Sequence, residues 1–89
     1  MEAALKAIAA PHRRTILQLV RDEELSAGAI ASHFDLTRPA VSQHLTVLKE
    51  AGLVHERRDG TRRLYRARPE ALAELKSFLD AFWGDRLEA

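Results

Sequence analysis

A mainly α-helical domain carrying one β-hairpin, in the order α-α-α-α-β-β-α, is the fold this sequence predicts. Three observations predict it. Apolar residues recur at helical spacing before residue 50 and again after Pro69. Two short runs rich in β-tolerant residues flank a lone Asp59-Gly60 turn signal. Ser26 and Thr37 stand where helices need a capping hydroxyl.

The elements follow in order. Lys6 to Ala10 is alanine-rich, with Leu5 and Ile8 three apart, and predicts a short first helix ending before Pro11. Pro11 suits a first helical turn, and Ile16, Leu17, Leu19 and Val20 recur at helical spacing until Asp22-Glu23-Glu24 breaks the pattern. Ser26 can cap a third helix with Ile30, Ala31 and Phe34 on its buried side, and Asp35-Leu36 reads as a tight turn. Thr37 can cap a fourth helix with Pro39 in its first turn, and Gly52 sits where a left-handed terminating residue is wanted. Leu53 to Arg58 and Arg62 to Ala67 then form the hairpin. A turn at Asp59-Gly60, or a four-residue loop closed by Arg57 and Arg62, sets Val54 opposite Tyr65 and Glu56 opposite Arg63. Pro69 opens a last helix in which Leu72, Leu75, Phe78, Leu79, Phe82 and Trp83 cover roughly 140° of its circumference. This order is the winged helix-turn-helix plan, expected as a single domain over residues 1–89.

Composition narrows the function. With 46% hydrophobic and 30% charged residues the chain can bury a core, which excludes a disordered chain. No apolar run approaches the roughly 18 residues of a membrane span, and Met1 to Ala10 lacks the basic start and apolar stretch of a secretion signal, so a cytoplasmic location is expected. The absence of cysteine removes disulfides, thiolate metal sites and thiol nucleophiles together. No nucleophile elbow, phosphate loop or metal-activated-water motif appears, so an enzyme is not expected.

Charge is unevenly distributed although the net is +1. Residues 1–37 carry four basic and five acidic side chains, residues 38–68 eight against three, and residues 69–89 two against five. The middle attracts polyanions and the last segment repels them.

The fourth helix is the candidate reader of a DNA major groove. Val41, Leu45 and Leu48 fall on one side for the core, leaving Ser42, Gln43 and Thr46 free. Gln43 suits an adenine edge, Ser42 and Thr46 are adaptable donors and acceptors, and Thr37 and Arg38 at the helix start can meet backbone phosphate. Arg57, Arg58, Arg62 and Arg63 around the hairpin tip form a basic finger suited to phosphates or a minor groove. In the inferred register Arg57 faces Arg62, a like-charge pair that calls for an anion nearby. Alternatively the arginines merely charge an edge strand against aggregation. Leu5 and Ile8, together with Leu72, Leu75, Leu79, Phe82 and Trp83, make an apolar stripe suited to a twofold mate, or to the lid of the chain's own core.

Several runs carry a family resemblance: E-L-S-A-G-A-I-A from Glu24, R-P-A-V-S-Q-H-L-T-V-L-K-E-A-G-L-V from Arg38 to Val54, and G-T-R-R-L-Y-R from Gly60. In these the chain resembles the ArsR-type (arsenic-repressor) regulators over nearly its whole length. The resemblance implies a homodimer joined through its first and last helices, binding double-stranded DNA at an inverted repeat and repressing until a signal arrives. It also implies DNA contact by His44, although the wheel position of His44 beside the core equally suits a packed histidine. Metal-sensing members carry two cysteines where this chain has Ser26 and Gly28, and others bind zinc on the last helix through a histidine, which residues 69–89 lack. No metal and no cofactor are therefore expected. An unidentified small-molecule effector, apolar if it sits among the terminal aromatics, is the remaining partner. The competing reading is a winged-helix protein-interaction module without operator binding.

Overall fold

The computed structural model describes the backbone of residues 1–88 and the side chains of residues 1–82. Eight elements follow in chain order: α1 (Glu2–Ile8), α2 (Pro11–Leu19), β1 (Leu25–Ser26), α3 (Ala27–Ala31), α4 (Arg38–Glu50), β2 (Val54–Asp59), β3 (Arg62–Ala67) and α5 (Pro69–Glu88).

The expected helices all form, with α1 displaced towards the N-terminus. It covers Glu2–Ile8 rather than Lys6 to Ala10, because its C-terminal end is held from α2. Arg13 donates from Nε to the Ala7 carbonyl at 2.6 Å and from Nη2 to that of Lys6 at 3.3 Å. Arg14 donates from Nη1 to the carbonyls of Ile8 at 2.7 Å and Ala9 at 3.2 Å. Two adjacent arginines thus satisfy carbonyls that a helix end leaves without intrahelical donors.

The caps form as the residue types demand. Ser26 Oγ accepts from the Ala29 amide at 3.1 Å, and Thr37 Oγ1 accepts from the Ala40 amide at 3.2 Å. At the far end of α4, Gly52 has φ +77°, its amide donates to the Lys49 carbonyl, and the Leu53 amide reaches back to that of Leu48, each at 3.0 Å. This Schellman closure turns the chain sharply into β2. It thereby sets the hairpin beside α4.

The hairpin forms in a different register from the one expected. Val54 pairs with Ala67, Glu56 with Tyr65, Arg57 with Leu64, Arg58 with Arg63, and Asp59 with Arg62. The two turn residues are therefore Gly60 and Thr61, not Asp59 and Gly60. Gly60 has φ +64° and no described non-glycine residue has positive φ, which fits a type II′ turn led by glycine. The slip is two residues, so every side chain stays on its expected face and alternation alone cannot detect it.

The sheet has three antiparallel strands in the order β1-β3-β2. β1 was not expected. It is two residues long, too short for a periodic signal, and pairs Leu25 with Tyr65 and Ser26 with Leu64.

One apolar cluster lies under these elements, with Ile16, Val20, Ile30, Val41, Leu45, Leu48 and Leu53 all below 2% exposed. Burying each aliphatic side chain contributes about 1.5–3 kcal/mol. Backbone bonds from Ala67 to the Val20 carbonyl at 3.0 Å and from Arg68 to that of Leu53 at 2.9 Å tie the base of the wing to the helical body. Leu75 of α5 is part of this cluster and 6% exposed. Within the chain it packs as the lid of the core, the second of the two readings of that stripe. Leu5, Ile8, Leu72 and Leu79 are half-buried, while Phe78 and Phe82 are 39% and 62% exposed and stack with ring centroids 6.1 Å apart. Trp83, and with it any aromatic pocket for an effector, lies outside the described side chains. No helix is long and apolar enough to cross a membrane among the described residues.

Candidate nucleic-acid interface

The exposed side of α4 carries Ser42, Gln43, Thr46 and Val47, because the opposite side is taken by Val41, Leu45 and Leu48. These four residues line a shallow depression of about 400 Å³. Thr46 Oγ1 donates to the Ser42 carbonyl at 3.0 Å, which leaves its oxygen free to accept. The Thr37 hydroxyl oxygen is taken by its cap, so its side chain serves α4 before it serves any ligand.

Beside this surface a cleft of about 710 Å³ runs between α4 and the wing. Its walls include Arg38, Ser42, Thr46, Lys49, Arg62 and Arg63. Arg38 leans across the start of α3: a methyl built on Gly28 would meet its Nη1 at 3.6 Å. Arg62 pairs with Asp59 across the turn at 3.2 Å. Arg58 faces Arg63 across the strands, and neither Arg58 nor Arg38 has a carboxylate partner among the described residues. The like-charge crossing occurs, between Arg58 and Arg63 rather than Arg57 and Arg62.

Arg57 departs from the expected finger. It faces Leu64, and its Nε and Nη2 both bond the Glu24 carboxylate at 2.8 Å. This forked pair holds the Glu24 carboxyl below the usual carboxylate range. The anion expected near Arg57 is thus supplied by the chain itself, ahead of β1.

His44 also leaves the group. It turns towards α2, where Arg13 Nη1 lies 3.3 Å from its Nδ1 and the His12 ring centroid lies 5.7 Å from its own. His12 in turn meets Phe34 edge-on at 5.5 Å. Burial, then the charges of Arg13 and His12, push the His44 imidazole below its usual pKa. It packs against α2 and lines neither depression on α4.

Among the cleft residues that escape the sequence reading are Lys49, Glu56 and Tyr65. Lys49 had a signal, standing on the same helical stripe as Ser42 and Thr46. The other two had none, because their approach depends on the hairpin register. The Tyr65 hydroxyl donates to Glu56 Oε2 at 2.6 Å. Burial first, then this bond, pushes the Tyr65 phenol up to about 12, while the same bond holds the Glu56 carboxyl down. Among the described residues no three histidine, cysteine, aspartate or glutamate side chains gather as metal ligands.

A helix-turn-helix domain family matches residues 8–57. Over 82 residues the chain is 45% identical to the HTH-type transcriptional regulator Rv2034 of Mycobacterium tuberculosis, spanning 92% of this chain and 77% of that protein. It is 42% identical to the transcriptional repressor SdpR of Bacillus subtilis, over 67% of each chain. Among solved structures, one called "Possible transcriptional regulator for arsenical resistance" superposes with a TM-score of 0.85 at 46% identity, over 94% of this chain and 91% of the other. The homodimeric winged helix-turn-helix DNA-binding domain of Mb0332 from Mycobacterium bovis superposes with a TM-score of 0.76 at 34% identity, over 91% and 75%.

Proposed function

This chain belongs to the ArsR-type helix-turn-helix transcriptional regulators, and we propose that it acts in the cytoplasm as a homodimeric repressor on an inverted-repeat operator. The observation that carries this reading is the cleft in which Ser42 and Thr46 of α4 face Arg62 and Arg63 of the wing. Ser42, Gln43 and Thr46 read base edges, while Arg38, Arg58, Arg62 and Arg63 meet phosphates on either side. A readable polar surface flanked by cations is what a groove-reading helix needs. The phosphate contacts set position and the base contacts set sequence.

The dimer rests on α1 and α5. Leu5, Ile8, Leu72, Leu79 and Phe82, with Trp83 beyond the described side chains, supply its apolar face. Phe78 belongs there as well, since two stacked exposed phenylalanines suit burial against a second copy. The homodimeric state named for the Mycobacterium bovis neighbour supports this assembly. A twofold pair then sets its recognition helices about one DNA turn, roughly 10 base pairs, or a multiple apart.

The test is selection of bound duplexes from a random library at two salt concentrations, with the solution mass of the protein recorded alongside. An enriched inverted repeat bound by a dimer supports the reading. Salt-sensitive binding with no enriched sequence refutes operator recognition.

A further inference from the structure

The cleft of a polyanion-binding protein is lined here by a fixed carboxylate as well as by cations. Glu56 stands at its floor, with a side chain 16% exposed against 52% for Lys49 and 53% for Arg63. Three groups converge on it. Lys49 Nζ of α4 lies 3.3 Å from Oε1, Arg63 Nη1 of β3 lies 3.5 Å from Oε2, and the Tyr65 hydroxyl donates to Oε2 at 2.6 Å. The last of these bonds holds the carboxyl below the usual carboxylate range. A phosphate entering the cleft meets Lys49 and Arg63 already paired, and meets a negative charge behind them.

We propose that Glu56 is an internal competitor of the phosphate backbone: it holds Lys49 and Arg63 in the free protein and sets the sequence-independent affinity of the cleft for polyanions. This rests on the DNA-binding reading for its biological meaning, although the competition itself concerns any polyanion. The electrostatic logic is direct. Sequence-independent binding gains from each cation delivered to a phosphate, and each such contact adds about 0.9 to the slope of log K against log salt. A cation that must first leave a carboxylate delivers less. Arg58, which has no carboxylate partner among the described residues, pays no such exchange.

The decisive variant is Glu56→Gln, which keeps the size of the side chain and an oxygen for the Tyr65 hydroxyl while removing the charge. Its binding to a random-sequence duplex and to heparin is measured against wild type from 0.05 to about 0.5 M salt, a range chosen to resolve the slope. The variant is expected to bind both several-fold more tightly at low salt, with a slope on duplex steeper by about 1–2. Equal or weaker binding with an unchanged slope overturns the proposal. Lys49→Gln, an exposed substitution on an otherwise wild-type chain, reads the same competition if the first variant fails to fold. It should flatten the duplex slope less than Arg58→Ala does, and an equal or larger flattening overturns the proposal. If heparin and duplex both tighten in Glu56→Gln while library selection on wild type finds no preferred sequence, the competition stands and operator recognition fails.

Discussion

Arg13 Nη1 lies 3.3 Å from His44 Nδ1, so the guanidinium whose Nε meets the Ala7 carbonyl of α1 also holds α4. Arginine only donates, so Nδ1 of His44 must accept and the neutral ring carries its proton on Nε2. A first helix proposed for the dimer interface is thereby tied through one side chain to a helix proposed to read DNA.

The tie predicts a pH dependence. The His44 pKa is depressed on folding, so just below its ordinary value of about 6.5 the unfolded chain takes up a proton that the folded chain refuses. Stability from this group is complete above about pH 7 and falls as the pH drops through the mid-6 range towards the folded pKa. Melting temperature followed by circular dichroism should decline over that interval. His44→Gln, which can still accept from Arg13, should show a shallower decline. Superimposable profiles would remove His44 from the account.

The arginines of the wing should separate into two behaviours. Replacing Arg62 and Arg63 together by alanine should weaken binding to all duplexes and flatten the salt slope, by less than the roughly 2 that two unpaired cations would lose, since Arg62 starts paired with Asp59 and Arg63 with Glu56. Arg57→Ala should leave that slope unchanged, since Arg57 is spent on Glu24. Titration by fluorescence anisotropy at several salt concentrations distinguishes them. Gln43→Ala, measured alongside, should relax sequence preference with little effect on the slope.

Gly52→Ala should destabilise the domain by about 1–2 kcal/mol, because φ +77° is a conformation that a Cβ resists. Space is not the obstacle: the nearest atom to an added Cβ is Arg68 Nη1 at 3.8 Å. Urea unfolding should report the loss as a lower midpoint with an unchanged m-value. Gly60→Ala, at φ +64° on an open tip, should also destabilise, since the lead position of a type II′ turn favours glycine even where a Cβ meets nothing.

Phe78→Asp places a charge on the exposed face of α5, at a site already 39% accessible. The helical circular dichroism signal should persist while sedimentation equilibrium reports a monomer. A variant that remains a dimer would move the interface away from this face.

Much of this protein was legible in its residues because the deciding interactions are local. Thr37, Ser26 and Gly52 mark helix ends by what their own side chains or backbones do within a few residues. Periodicity likewise identified Val41, Leu45 and Leu48 as the buried side of α4, and so Ser42, Gln43 and Thr46 as the exposed one. The order of the helices and the hairpin, the polar surface of α4 and the basic wing were determined at that level. Tertiary structure alone decided the hairpin register, the strand Leu25–Ser26, the Glu24 partner of Arg57 and the turn of His44 towards Arg13. A two-residue slip keeps every side chain on its face, so alternation is blind to it and the turn geometry at Gly60 chooses. These partners lie 31 and 33 positions apart, where spacing carries no information and only packing brings the groups together.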